Sequence, residues 1–260
     1  MLTYNDHDLS GLIIVNSIGR PILPPQILST KEIYGRPGAF FFEKRHGPVV
    51  IPVGVTLHAK NHTQYRALVR KIAVYLDVEE PKPLIFSDEP DKYINGILQD
   101  KSALEEIATT GQGELQFYCP DPYWYAIEDD VMSWNGPGTY TLDRKGTANS
   151  EPLIEIQGSN KGGKITLQTD NTTINFIGNL AAGETLVLDT ALITAYIRKN
   201  DGSQVSAIHY IDTIVMPILI PGANQLTISV NGGASVTQFK VTARSRWKAG
   251  PGRPAAPGGG

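Results

Sequence analysis

Nine short apolar runs fill the stretch between residues 152 and 242, and their spacing constrains the fold more than any other feature of the chain. The runs span 152–156, 164–168, 173–177, 184–188, 192–197, 205–211, 214–219, 225–230 and 236–242. Turn-forming strings such as Ser159-Asn160, Asn200-Asp201-Gly202 and Asn231-Gly232-Gly233 separate them. An ordinary helix needs about ten or more residues of 3.6-residue periodicity, and these runs are too short for it. Strand-like runs with a turn signal roughly every 8–12 residues are what an antiparallel β-sandwich requires. No unit of about 20–50 residues recurs, so a solenoid or propeller is not expected.

The first half is also strand-rich, with one exception. Residues 12–15, 39–42 and 49–58 read as strands, and Ile51, Val53, Val55 and Leu57 alternate onto one face of the last. The Pro-rich stretch 21–25 suits an extended connector. Between 63 and 76, Tyr65, Leu68, Val69, Ile72, Ala73 and Leu76 form a single stripe at helical spacing, with Arg66, Arg70 and Lys71 on the wet side. Asn61 or His62 leads into the first turn, and Pro81 blocks continuation. Further extended segments are expected at 83–86, 93–99 and 113–119, with a short turn or helix over 102–107. The turn residues across 133–149 place a domain boundary there. The chain is therefore expected to be mainly β, with two domains at 1–133 and 134–249 and a flexible Gly/Pro tail at 250–260.

Composition excludes several function classes. The net charge of −3 gives no basic excess for sequence-specific nucleic-acid binding. The charge is unevenly divided: residues 1–130 carry 12 basic and 18 acidic side chains, whereas residues 131–260 carry 11 and 8. Cys119 is the only cysteine, so no internal disulfide is possible, and it reads as a small buried hydrophobe. The polar N-terminal segment carries no signal-peptide pattern. The apolar run 214–220 is too short to cross a bilayer and contains Pro217, so no membrane insertion is expected. The chain is expected to be soluble and made in a reducing compartment.

A search for chemistry returns no catalytic, cofactor-binding or metal-binding set. There is no nucleophile elbow and no phosphate loop. Gly111-Gln112-Gly113 lacks the third glycine of a dinucleotide turn. His58 and His62 are four apart but straddle a strand–helix junction with no neighbouring ligand in sequence. Glu128-Asp129-Asp130 reads as a solvated linker cluster rather than a pair of opposed carboxyls.

The order of landmarks resembles the distal tail proteins of long, flexible-tailed phages of the siphovirus type, hubs of the tail baseplate. Gly35-Arg36-Pro37-Gly38-Ala39-Phe40 is similar to that family's early glycine turn before a strand. Asp88-Glu89-Pro90-Asp91-Lys92-Tyr93 is similar to its Asp-Glu-Pro-x-Arg-Tyr element, with Lys92 where Arg is usual. Phe117-Tyr118-Cys119-Pro120-Asp121-Pro122-Tyr123 matches the signature before its domain boundary. Pro152-Leu153-Ile154, the run from Gly183 to Asp189, and Ile220-Pro221-Gly222-Ala223-Asn224 follow in the family's order.

The resemblance implies an N-terminal β-sandwich with one amphipathic helix, assembled as a hexameric ring, and a C-terminal galectin-like or carbohydrate-binding-module-like sandwich projecting outward. It implies a ring made in the bacterial host and carried on the virion. That ring would join the tail-tube protein to the tail-associated spike or fibre protein, with a receptor-binding protein as a further candidate partner. DNA would pass through its bore without sequence-specific contact, and the acidic balance of 1–130 suits such a bore.

Two rival readings remain at the level of sequence: a sugar-gripping module in the C-terminal half, and a cell-wall hydrolase using Glu128 or Asp129. Residues 150–246 hold only Tyr196, Tyr210, Phe176 and Phe239 as aromatics, a thin supply for sugar stacking. For self-assembly the expected surface is strand edges and aromatics of the N-terminal domain, in particular Phe40, Phe41 and Phe42. Being consecutive, they cannot all face one core.

Overall fold

The computed structural model describes residues 2–99, 104–107 and 110–248; the expected tail at 250–260 lies outside the described residues, as do 102 and 103 of the expected turn or helix. The chain divides into two compact units, one formed up to Ile127 and rejoined from Trp247, the other Glu128–Arg246.

In the first unit the elements run β1 (Leu2–Tyr4), β2 (His7–Asp8), β3 (Ile14–Ile18), β4 (Gln26–Glu32), β5 (Ala39–His46), β6 (Val49–His58), α1 (His62–Leu76), β7 (Lys82–Phe86), β8 (Glu89–Leu98), β9 (Leu104–Ile107), β10 (Thr110–Cys119) and β11 (Trp124–Ala126). The main sheet follows the order β2-β1-β7-β8-β10-β6-β3. β10 lies antiparallel to β6 along its whole length, from Cys119 opposite Val49 to Thr110 opposite His58.

β8 turns the corner of this sheet. Its middle pairs with β7, Ile94 opposite Leu84, and its end pairs with β10, Leu98 opposite Phe117. The sheet thereby curls over on itself, so that Tyr4 of β1 reaches β8 and β10. Its hydroxyl donates to the Gly96 carbonyl at 3.0 Å, and its ring lies 5.1 Å from that of Phe117. A Cβ on Gly96 would sit 3.0 Å from the Cys119 sulfur, so the close approach needs a bare glycine.

The core between the two halves takes the alternating face Ile51, Val53, Val55 and Leu57 of β6 with Leu84, Phe86, Ile94 and Phe117. Each such fully buried side chain contributes about 1.5–3 kcal/mol of hydrophobic stabilisation. Asn61 caps α1 by accepting from the Gln64 N–H at 2.9 Å, as its place before the apolar stripe predicts. The stripe buries Tyr65, Ile72 and Leu76 against the sheet. Residues 104–107 are a strand paired with β10, not a turn or helix.

The second unit continues with β12 (Val131–Asn135), β13 (Gly138–Arg144), β14 (Leu153–Asn160), β15 (Lys164–Thr169), β16 (Thr173–Phe176), β17 (Thr185–Asp189), β18 (Thr194–Arg198), β19 (Gln204–Ser206), β20 (Gly222–Asn231) and β21 (Ala234–Thr242). Two sheets, β12-β21-β14-β17-β18-β19 and β13-β20-β15-β16, face each other. Ile154, Ile156, Leu186, Leu188, Phe239 and Val241 of the first pack against Leu142, Ile165, Leu167, Phe176, Leu226 and Ile228 of the second. This is a β-sandwich.

Three expectations need correction here. The boundary expected at 133/134 falls inside β12, whose Val131 to Asn135 pair with Thr242 to Gln238 of β21. Gly136-Pro137-Gly138, read as a linker, is the turn by which the chain crosses from one sheet of the sandwich to the other, with Gly136 at φ +76°. Residues 214–219 form no ladder strand, and only Leu219 makes an isolated bridge, to Ser150. Pro217 lacks the N–H a ladder needs. The segment instead runs beside the outer edge of β16, with the Asp212 N–H donating to the Asn175 carbonyl and the Thr172 hydroxyl to the Val215 carbonyl. That covers an edge which would otherwise be open to pairing. Residues 205–211 likewise give no full strand: the end of β19, a single 3-10 turn at Ile208–Tyr210 and an isolated bridge from Ile211 to Phe176.

Candidate assembly surface

β4 and β5 form a two-stranded hairpin that pairs with no other strand, Gln26 opposite His46 and Glu32 opposite Ala39. Its tip carries two glycines in the left-handed region, Gly35 at φ +79° and Gly38 at φ +83°. The arm is apolar outward. Tyr34 is fully exposed at the tip, and Phe40, Phe41 and Phe42 are 42%, 62% and 63% exposed, with Ile27, Leu28 and Ile33 exposed beside them. None of the three phenylalanines belongs to either buried core, so neither face of β5 is covered by this unit. The Arg36 guanidinium lies 4.8 Å over the Phe40 ring.

A lone two-stranded hairpin is marginal in water. What holds this one is its root. The Gly47 N–H donates to the Pro25 carbonyl at 2.8 Å, and His46 Nδ1 lies 2.9 Å from the Tyr123 hydroxyl with the two rings edge to face. Burial, then the charges of Lys248 and Lys44, lower the His46 pKa, so the imidazole is neutral at physiological pH.

Tyr123 belongs to the turn Pro120-Asp121-Pro122-Tyr123, which links the arm to the sheet. The Asp121 carboxylate accepts from the Tyr123 N–H at 3.1 Å and from the Tyr125 hydroxyl at 2.5 Å. The Tyr125 ring stacks on Tyr93, its register partner on β8, at 5.8 Å. Pro122 is buried, and Cys119 is buried with its thiol pKa pushed up to about 12 by burial. Such a thiol is inert.

The other quoted motif closes the β7–β8 turn. Asp88 receives both Arg20 guanidinium nitrogens, at 2.6 and 2.8 Å, and the guanidinium plane sits 4.5 Å over Phe86 and 5.3 Å from Trp124. These hydrogen bonds hold the Asp88 carboxyl below its ordinary value. Burial raises that of Glu89, which lies 3.5 Å from Lys92. Pro90 follows at an exposed position of β8, where it removes one donor from the ladder. Tyr123 thus meets the arm at His46, and Asp121 and Tyr93 join it through Tyr125, whereas Asp88 pairs with Arg20 at the β7–β8 turn; Phe40, Phe41 and Phe42 stand on the arm itself. Sequence reading missed β4 and therefore the hairpin. The signal was present in Ile27 and Leu28 after a Pro-Pro pair, with a Gly-Arg-Pro-Gly turn before the phenylalanines.

The acidic cluster near 128–130 is not a solvated linker. Asp129 accepts from the Ser245 N–H at 2.9 Å, and Asp130 from the Ser245 hydroxyl at 3.1 Å and the Lys145 N–H at 3.3 Å. Burial raises the Asp129 pKa; it pushes Asp130 upward too, but there the hydrogen bonds from Lys145 and Ser245 and the Lys145 charge together outweigh it and leave the carboxyl lowered. Both carboxylates are occupied in fastening the two ends of the second unit. Among the described residues no group of three or more His, Cys, Asp or Glu converges as a metal site.

Comparison with known proteins matches residues 6–119 to the family of the phage tail protein RIFT-related domain. No curated protein matches. The crystal structure of the Dit protein of phage SPP1, described as a paradigm of the hub adsorption apparatus in phages infecting Gram-positive bacteria, is similar at a TM-score of 0.75 and 15% identity. The match covers 94% of this chain and 98% of that one. The phage p2 baseplate in its activated conformation with Sr aligns at a TM-score of 0.48 and 11% identity, over 92% of this chain and 94% of that one. The SPP1 likeness gives the fold of nearly the whole chain.

Proposed function

We propose that this chain, whose residues 6–119 match the model of the phage tail protein RIFT-related domain, is a structural subunit of the tail tip, six copies of which close into a ring between the tail tube and the spike or fibre proteins. The observation that carries the reading is the uncovered apolar arm. An exposed patch of this kind, on a hairpin that cannot stabilise itself, marks a surface made to be buried by another chain. Closed cyclic assembly meets that need, because each copy's arm is covered by the next and none is left over. A bore lined by an acid-rich domain suits the passage of DNA, since like charge prevents the polyanion from sticking. The protein would therefore reside on the virion and act without making or breaking bonds.

The test is the native mass of the purified protein by light scattering, with negative-stain images of the particles. Wild type is expected to give rings of six. Phe41→Asp places a charge in the buried patch and is expected to reduce the assembly to smaller species while circular dichroism stays unchanged. A wild-type protein that is a monodisperse monomer across the micromolar range overturns the proposal.

A sugar-binding reading of the second unit draws less support. Phe176 and Phe239 are buried, Tyr196 is half-buried, and Trp134 and Tyr140 are half-buried and stacked on each other at 4.9 Å. That leaves Tyr210, with His209 beside it, as the exposed aromatic platform among the described residues of that unit.

A further inference from the structure

The first unit also contains an apolar slot of about 520 Å³ between α1 and the sheet. Its floor is Leu57, Ile72 and Leu115, all buried, and its rim is Val69, Leu98 and Val78, half-buried. The exposed side of α1 adds Ala73 and Val74 to the rim, and Asp77, the residue after the helix, stands at the mouth. A volume of this size lies within the range of small-ligand pockets, about 300–1,000 Å³. Among the described residues no polar side chain other than Asp77 lines it, so a polar ligand finds little there to orient it.

We propose that this slot receives the tip of the β4–β5 arm of a neighbouring copy. The inference rests on the ring reading and adds where the arm goes. Two observations commit the slot to that occupant. The first is apolar complementarity: the tip presents Ile33, Tyr34 and Phe40, exposed and without a cover on their own unit. The second is charge. The arm, residues 26–46, carries Lys31, Arg36, Lys44 and Arg45 against only Glu32 and Glu43, whereas the remainder of 1–127 has thirteen acidic side chains against eight basic ones. Exposed acids flank the lining at Asp77, Glu79, Glu80 and Glu114, against the exposed bases Arg70 and Lys71 on α1. A basic tip entering on the side of Asp77, Glu79 and Glu80, away from Arg70 and Lys71, pairs Arg36 and Lys31 with those acids and sets the direction in which subunits join. Arm into slot is a head-to-tail contact, and head-to-tail contacts generate rings when the rotation closes.

The test uses two single variants of the full chain, Tyr34→Cys and Val78→Cys, which are mixed, assembled and mildly oxidised. Cys119 is buried and does not compete. A disulfide-linked pair on a non-reducing gel is expected from the mixture and from neither variant alone. Adding Ala73→Glu to the Val78→Cys chain is expected to cut the cross-link yield at least tenfold with the fold intact by circular dichroism. A wild-type ring with no cross-link in the mixture overturns the docking site and leaves the ring standing. A wild-type monomer overturns the ring as well. Assembled wild-type particles that still take up an apolar dye, lost on Ala73→Glu, also overturn the docking site, because the slot is then open to another occupant.

Discussion

Asp88 is ionised in the fold because Arg20 is beside it. The guanidinium is largely buried over Phe86 and Trp124, and the carboxylate is its counter-charge on the one side that reaches water. Removing the carboxylate leaves a buried cation with half its donors unpaired, which costs more than the pair contributes. Asp88→Asn is expected to lower stability by about 1–2 kcal/mol near neutral pH, read as a shift of the urea midpoint. The pH dependence follows from the lowered pKa. A carboxyl that ionises more easily folded than unfolded adds stability above its ordinary value of 3.8, and loses it as pH falls through the lower folded value. The gap between wild type and Asp88→Asn should therefore be widest above about pH 4 and close in stronger acid. A gap that stays constant down to pH 2 would mean that the lost interaction is not the ionised pair. The same reasoning applies to Asp189, which both Arg244 guanidinium nitrogens reach at 2.7 and 2.9 Å.

At the scale of elements, the helix and the arm show what sequence can and cannot reveal. The stripe from Tyr65 to Leu76 buries one face of α1, and periodicity alone identifies it, as it does the alternation of β6. Pattern reading works because each face of those elements meets only one environment. The arm has no such contrast: β4 and β5 are exposed on both faces within a single copy, so their residues follow no in–out period. The phenylalanines stood out in the sequence as an apolar run, but the hairpin did not. The strand expected at 214–219 fails for a related reason, since its apolar residues Ile214, Val215 and Ile218 are exposed and only Met216 and Leu219 turn inward. A hairpin that only another chain can cover should also be dispensable to its own unit. Replacing residues 27–45 with a short Gly/Ser linker is expected to abolish assembly while changing the unfolding free energy from urea titration by less than about 1 kcal/mol, within the usual tolerance for loop changes. A chain that unfolds on losing residues 27–45, with the root contact of His46 and Tyr123 left in place, would show that the arm itself holds up the core.

For the molecule as a whole, the two cores differ in how the chain supplies them. The second is built from one continuous stretch, Glu128–Arg246, whose ends are fastened by Asp129 and Asp130 to Ser245. The first is not continuous, because Trp247 returns to it after the whole sandwich has been formed. Its ring packs against that core, with the Lys92 ammonium 4.8 Å over its face. Lys92 is the residue that stands where the resembling family has Arg, and this contact gives it a role in any case, since either cation can sit on an indole. The first unit's stability thus depends on a residue far away in sequence, and long-range closure of that kind is costly in chain entropy until the intervening domain has folded. Trp247→Ala is expected to remove about 1–3 kcal/mol from the first unit, less than a fully buried Trp would because the ring is half-exposed. Hydrogen exchange reports this site by site: amides of β7, β8 and β10 should exchange faster, and those of β14, β17 and β21 should keep their protection. Equal loosening of both sets would mean that the sandwich depends on the first core, and the picture of two separately stabilised units would have to be given up.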